Sequence, residues 1–273
     1  MEQFDAYQAE LRAEGFLRTE TAPQDAPYEA ADLVRNFERI ALHHEVELTQ
    51  TGSEDNWSRN PLERWVGPLN YALFGAAVTP QDRLDTAQLM ERVAGLTGLE
   101  IAENEDDFNF LIMITTPEER NAVSAEFADG NPEVSEQFDL WRRTSDVVCY
   151  ANYGYAGEDD SSIDAGLVVI GMETRGLLRK SCLHEEIVQT LGLPNDHPEV
   201  RPSIFNDDEE FALLTRHDED LLRILYDPRL SPGMTAGEAM PIVRRIVAGM
   251  ALGGPAAGGG ADGVAKQAVD AGT

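Results

Sequence analysis

The stretch CLHEEIVQTLGLPND, residues 182–196, combines a helical apolar pattern, polar side chains at the spacing of metal ligands and a glycine stop. Leu183, Ile187 and Leu191 recur every four residues, so one face of a helix that runs to about residue 191 should be buried. Gly192 is expected to end this helix in the left-handed conformation. The sequence therefore places both a central helix and a candidate site in this stretch.

The polar side chains can be aligned in two registers with the zinc-hydrolase pattern H-E-x-x-H, in which two ligands share a helix face and the intervening glutamate acts as a base. A register that starts at His184 puts Val188 at the second ligand, and valine cannot bind a metal. A register that starts at Glu185 puts Glu186 at the catalytic glutamate and Gln189 at the second ligand. It also puts a glycine where the longer pattern H-E-x-x-H-x-x-G-x-x-H turns the chain toward a third ligand, so we prefer it.

The preferred register predicts a site made of oxygen-bearing side chains. Its metal ligands are Glu185, Gln189, Asn195 and Asp196, and Glu186 is its catalytic base. Carboxylate and amide oxygens form a harder set than the imidazoles and thiolates that zinc favours, and suit calcium or magnesium better. We therefore expect either one divalent metal, zinc or calcium, or no metal at all.

At these residues the chain resembles the metzincins, especially the matrixin-like zinc peptidases. Residues 202–206 look like the methionine turn of that family, with Phe205 in place of the methionine, and residues 211–226 look like its closing helix. The span from about residue 33 to residue 234 is still more similar to an uncharacterised proteobacterial family, the domain of unknown function family 2927. That similarity rests on the motifs RW at 64–65, LTGL at 96–99, EExxQ at 185–189, LG at 191–192, ND at 195–196 and SIFND at 203–207.

The metzincin resemblance implies a mixed α/β (α+β), zincin-like fold with a small twisted sheet, two long helices and a short helical C-terminal lobe. It implies a peptide-bond hydrolase in which Glu186 polarises a water, or an inactive module of the cell envelope that binds a peptide or protein partner in the same cleft. Residues 166–173, the strand before the site helix, would be the edge that pairs with an extended polypeptide. A third interpretation also stays open, in which Glu185, Glu186 and Gln189 form only a solvated helix face.

Other polar residues near the stretch are expected to have lesser roles. His184 shares a stripe with Val188 and should be packed rather than bound to a metal, and His217 should lie in the first turn of the closing helix. His197 follows the proposed third ligand and is the histidine best placed to reach a metal. The acidic run of residues 207–210 could add oxygen ligands near the turn at Phe205, and a solvated loop is the interpretation that we favour.

Composition bounds the partners. With 50 acidic against 21 basic residues, the net charge of −29 argues against nucleic acids and anionic membrane surfaces. The sequence contains no stretch of eighteen apolar residues, so it predicts no transmembrane segment. The resemblance implies export, to the periplasm or outside the cell, and any signal peptide is either absent from the protein or absent from this sequence. Cys149 and Cys182 would pair in an exported protein and stay separate in a cytosolic one, so we expect a disulfide on the strength of the resemblance.

The remaining patterns divide the chain into three parts. We expect an N-terminal arm over residues 1–27, the zincin-like domain over 28–250 and a disordered tail, rich in glycine and alanine, over 251–273. Thr79 and Pro80 should begin a helix that ends at Gly98, and a capping box at residues 235–238 should begin the last helix. Strands are expected at residues 62–74, 99–102, 108–115, 146–155 and 163–172, and the strand at 108–115 should be central because it is almost continuously apolar.

Overall fold

The structure is a computed structural model that describes residues 2–45, 57–127, 149–157, 161–206 and 209–250. The tail predicted at 251–273 lies outside these residues. The strands are β1 (His43–Glu45), β2 (Trp57–Arg59), β3 (Arg64–Trp65), β4 (Leu69–Phe74), β5 (Ile101–Glu103), β6 (Phe110–Thr115), β7 (Cys149–Tyr155) and β8 (Ser162–Gly171). The helices are α1 (Glu2–Glu14), α2 (Ala30–Ala41), α3 (Pro80–Thr97), α4 (Pro117–Phe127), α5 (Gly176–Gln189), α6 (Arg216–Leu225) and α7 (Ala236–Gly249).

Six strands form one mixed sheet, which confirms the predicted α/β class. The order is β3-β8-β6-β4-β5, all parallel, and β7 adds to β8 in the antiparallel direction. The predicted central strand is β6, whose Ile112 and Ile114 are fully buried. A separate antiparallel pair is formed by β1 and β2.

The predicted cleft edge at residues 166–173 is wrong, because this segment lies inside the sheet. Gly166 to Gly171 of β8 pair with β6 on one side, and β7 pairs along the other side of the same strand. An extended polypeptide therefore cannot add to β8 through its backbone. The predicted strand at 62–74 is also two strands, β3 and β4, because Gly67 adopts a left-handed φ of 75° between them.

Two helices, α3 and α5, follow parallel strands and pack against each other. Thr79 caps α3 through a hydrogen bond from the backbone N of Asp82, and Gly98 closes the helix with a φ of 74°, as the sequence predicts. The helix α5 begins a few residues after β8. The short connection fixes the site helix relative to the sheet.

The C-terminal lobe is helical, as expected, and it completes the core. The helix α2 packs against both α6 and α7, and the capping box at Thr235 and Glu238 begins α7. One hydrophobic core joins these helices to the sheet and to α5. Within the described part of the chain, we find no helix with both the length and the apolar character to cross a bilayer.

Candidate functional site

The buried face of α5 follows the predicted pattern, since Leu183, Ile187 and Leu191 are at most 1% exposed. Gly192 ends the segment with a φ of 103°, which confirms the predicted left-handed glycine. A Cβ added there would lie 2.2 Å from the carbonyl O of Glu63. Glycine is therefore required both by the backbone conformation and by the close approach of the chain before β3.

The expected disulfide is present and reaches the site helix. Cys149, the first residue of β7, is bonded to Cys182 in α5, with their Cα atoms 5.8 Å apart. The bond closes a sequence separation of 33 residues. It therefore ties the antiparallel strand at the side of β8 to the helix that carries the candidate residues.

An acidic pocket of about 250 Å³ lies beside α5. One wall is the helix, and the other comes from the chain after it. The lining residues are Ser181 and Glu185 of α5, Asp196 of the return from the helix, and Ile204, Asn206, Glu209 and Phe211 of the following segment. Two of the four predicted ligands, Glu185 and Asp196, are thus brought to the same pocket.

The other two predicted ligands, Gln189 and Asn195, do not line the pocket, and each makes hydrogen bonds to other residues. The Nε2 atom of Gln189 lies 3.3 Å and 3.2 Å from the two carboxylate oxygens of Asp196, so its amide donates to that carboxylate. Asn195 is fully buried, and its Nδ2 donates to the carbonyl O of Arg39 at 2.8 Å. Its backbone N donates to Ile40 at 3.3 Å. Asn195 therefore anchors the chain to the end of α2, and it does not line the pocket.

These residues do not fit the zinc site that the metzincin resemblance implies. Zinc in hydrolases takes imidazole, thiolate and carboxylate ligands in a tetrahedral arrangement. Here Gln189 turns an N–H group toward Asp196, and the Oδ1 atom of Asn195 is buried outside the pocket, with no hydrogen-bond donor among the described residues. In the parts of the chain that the structure describes, no three His, Cys, Asp or Glu side chains are placed to hold one metal ion.

Glu186, the predicted catalytic residue, is 8% exposed. Burial, with further contributions from the carboxylates of Asp196 and Glu209, raises its pKa to about 8. Burial also raises the pKa of Glu209. At pH 7 burial therefore favours the protonated form of the Glu186 carboxyl, and its role as a base stays a prediction.

The three histidines near the site have hydrogen-bonding roles in packing, and none of them lines the pocket. His184 accepts a hydrogen bond at Nδ1 from the backbone N of Leu214 at 3.0 Å, and burial lowers its pKa to about 3. His197 accepts one at Nδ1 from the backbone N of Glu199 at 3.0 Å, and burial lowers its pKa as well. His217 is fully buried in the first turn of α6. The predictions for His184 and His217 are confirmed.

A buried carboxylate holds the turn that forms the second wall. The Asp218 carboxylate accepts hydrogen bonds from Ser203 Oγ, from the backbone N of Ile204 at 3.2 Å and from Thr215 Oγ1 at 2.8 Å. Phe205, which stands where the resemblance has a methionine, is fully buried beneath the turn. The second wall is therefore stabilised by the hydrogen bonds to the Asp218 carboxylate and by the buried ring of Phe205.

Sequence reasoning missed five of the seven pocket residues, among them Asn206, which lies in the SIFND motif. Ser181 lies four residues before Glu185, so a helical-face argument could have found it. Glu209 was expected in a solvated loop, and that expectation is wrong, because its carboxyl lines the pocket and is partly buried. Ile204 and Phe211 gave no chemical signal, since apolar residues in such a segment are ordinarily core.

Comparison with family models identifies the family of the chain. No curated protein matches the chain. One family model matches residues 30–245, which is most of the chain and includes the whole acidic pocket but not the N-terminal arm. The chain therefore belongs to the family described as protein of unknown function (DUF2927).

Proposed function

We propose that this chain is a zincin-like protein of the cell envelope that binds a polypeptide, with a basic side chain of that polypeptide held in the acidic pocket and no metal-dependent cleavage. The observation that carries the proposal is that the four predicted metal ligands do not lie together around one point. Glu185 and Asp196 share the pocket with Glu209, whereas Gln189 donates to Asp196 and Asn195 is bonded to α2.

Two features support the zincin-like architecture and the location. The mixed sheet and the helices α3 and α5 are parts that the resemblance implies, and the site helix begins a few residues after the last strand. The disulfide between Cys149 and Cys182 supports export, because such bonds persist in oxidising compartments and are rare in the cytosol.

The pocket has the chemistry to receive a lysine or arginine side chain. Its carboxylates provide acceptors for an ammonium or guanidinium group, while Ile204 and Phe211 offer apolar surface to the methylene stem. Its volume of about 250 Å³ is below the range of roughly 300–1,000 Å³ that holds drug-sized molecules. One long side chain therefore suits the space better than a larger ligand, and the net charge of −29 attracts basic segments toward it.

Fluorescence anisotropy with labelled peptides tests this function. The probes are Gly/Ser peptides with one central arginine, and matched peptides with citrulline, its neutral isostere. We expect the arginine peptide to bind at least about tenfold more tightly, because it forms charge-assisted hydrogen bonds. The double variant Glu185→Gln, Asp196→Asn should lose this preference, and Glu91→Gln, on the exposed face of α3, should keep it. Equal binding of the two peptides would refute the proposal.

A second function, hydrolysis, is favoured by one observation. Burial raises the pKa of Glu186 to about 8, and a carboxyl group that keeps its proton at neutral pH is suited to act as a general acid. Mass spectrometry of the same peptides after incubation would detect cleavage. Turnover that survives a chelator and disappears in Glu186→Gln would favour this function, whereas turnover restored by added zinc or calcium would favour a metal site with altered ligands. Intact peptides under all conditions would favour the binding function.

A further inference from the structure

The N-terminal arm contacts both walls of the acidic pocket. We call residues 8–21 the strap. The first wall is α5, with Ser181 and Glu185, and the second wall is the segment that carries Glu209 and Phe211. The strap joins these two walls from outside the pocket.

Backbone hydrogen bonds attach the strap to the second wall. The backbone N of Leu17 donates to the backbone carbonyl O of Glu209 at 2.9 Å, and the backbone N of Arg18 donates to that of Glu210 at 2.8 Å. The backbone N of Ala212 donates back to Arg18 at 2.9 Å. Together these bonds resemble a short piece of sheet, in which Arg18 and Phe211 form a parallel bridge.

The strap reaches the first wall through a cap and a small apolar cluster. The Oε1 atom of Gln8 accepts a hydrogen bond from the backbone N of Leu178 at 2.9 Å, in the first turn of α5. Leu17, which is 2% exposed, packs with Leu178 and Ala212. One residue of the strap thus contacts the site helix and the second wall at once.

Arg18 adds an ionic and aromatic anchor. Its Nη1 atom lies 3.0 Å from Oε1 of Glu210, and its guanidinium stands 4.8 Å from the centre of the Phe211 ring. Asp25 pairs with the same guanidinium at 2.7 Å. Since Phe211 lines the pocket, the Arg18 side chain is in direct contact with a pocket residue.

The junction between strap and wall is strained. Leu17 and Glu209, with φ of 51° and 55°, are the two non-glycine residues with positive φ among those the structure describes, and a hydrogen bond joins them directly. Side chains other than glycine rarely adopt this conformation, and it persists only where surrounding contacts enforce it. If the strap leaves, Glu209 is free to relax to negative φ, which moves its carboxyl relative to Glu186 and Asp196.

We propose that the strap is a releasable latch that holds the two walls of the pocket together and so sets its width. When docked, it holds the two walls together and keeps Glu209 in its strained conformation. When released, it lets the second wall move and the pocket open. The latch is independent of the ligand, because every contact that carries it lies within this chain.

Cleavage of the folded protein tests the latch without a folding problem. A recognition sequence for a specific protease is inserted between Gln24 and Asp25, which are both exposed, and the chain is cut after purification. Hydrogen exchange is then compared before and after the cut. We expect the Ala212 amide to exchange at least about tenfold faster in the cut protein, with core amides of β6 unchanged. Unchanged exchange at Ala212 would overturn the proposal.

Two arginine variants of the intact chain provide a matched comparison. Arg18→Ala removes the anchor, whereas Arg12→Ala removes the same charge from an exposed position of α1. We expect exchange at least about tenfold faster at the Leu17 and Ala212 amides in Arg18→Ala only. An equal effect of the two variants, or faster exchange confined to Leu17, would show that the strap does not hold the wall.

Discussion

Replacing Glu186 with glutamine should change how the stability of the protein depends on pH. The Glu186 carboxyl has a pKa of about 8 in the folded chain, against an ordinary value of 4.5. Below about pH 4.5 it is protonated in both the folded and the unfolded state, so it does not affect their balance. Between the two values the unfolded chain loses the proton while the folded chain keeps it. The free energy of unfolding therefore falls as the pH rises through this interval, and it levels off above about pH 8.

The size of the effect follows from the interval. It spans roughly 3.5 pH units, and each unit corresponds to about 1.4 kcal/mol, so Glu186 should lower the stability by roughly 5 kcal/mol between about pH 4 and about pH 9. Glutamine has nearly the same shape and carries no charge at any pH. The free energy of unfolding of the Glu186→Gln variant should therefore equal that of the wild type at acid pH and exceed it at basic pH. Subtracting one profile from the other removes the contribution of distant titrating groups, because both proteins share it.

Urea unfolding at a series of pH values measures this difference, with the disulfide left oxidised. The control is Glu91→Gln, on the exposed face of α3, which should follow the wild-type profile. Profiles of the wild type and Glu186→Gln that run parallel within about 1 kcal/mol would refute the reasoning, because Glu186 would then ionise as easily in the fold as in water.

Two further predictions concern the positioning of the site helix. Gly192→Ala should cost at least about 3 kcal/mol of stability, because the new Cβ would lie 2.2 Å from the carbonyl O of Glu63 at a φ of 103°. Gly233→Ala, at a φ of 81° with no other heavy atom closer than 4.0 Å, should cost only about 1 kcal/mol, and equal losses in urea unfolding would contradict the steric argument. Replacing Cys149 and Cys182 with serine should cost roughly 4 kcal/mol, because the bond closes a separation of 33 residues; a loss below about 1 kcal/mol by the same assay would contradict this.

The sequence predicts the elements of this fold where the signals are local. The caps at Thr79 and Gly98 bound α3 correctly, and the spacing of three apolar residues together with Gly192 identifies α5. Each of these signals lies within a few residues of the structure that it specifies. Strand order is not local, because it depends on which segments pair after the chain has folded. The antiparallel pairing of β7 with β8 therefore cannot be predicted from the sequence, and for this reason the prediction that residues 166–173 form an edge of the sheet is wrong.

The same distinction explains the candidate site. The register that begins at Glu185 correctly identifies a helix face and a turn that returns toward it, so Glu185 and Asp196 meet. Asn195, the neighbour of Asp196, is removed from the pocket by a carbonyl 156 residues away along the chain. No spacing within the motif could reveal that bond. A motif thus specifies which side chains lie close together on one helix and its turn. Contacts with residues far away in the sequence decide which of these side chains line the pocket.

The chemistry of Glu186 shows how far such contacts reach. In the zinc pattern the glutamate acts as a base because the metal lowers the pKa of a bound water, whose proton the glutamate accepts. Here its electrostatic neighbours are Asp196 and Glu209, both acidic, and burial favours its neutral form. The carbonyl O of Glu209 accepts a hydrogen bond from the backbone N of Leu17, in an arm that lies before the residues matched by the family model. The protonation of the residue that most resembles a catalytic glutamate therefore depends partly on a segment that the motif does not contain. Substitutions in the arm should therefore alter the pH at which Glu186 titrates, although no residue of α5 is replaced.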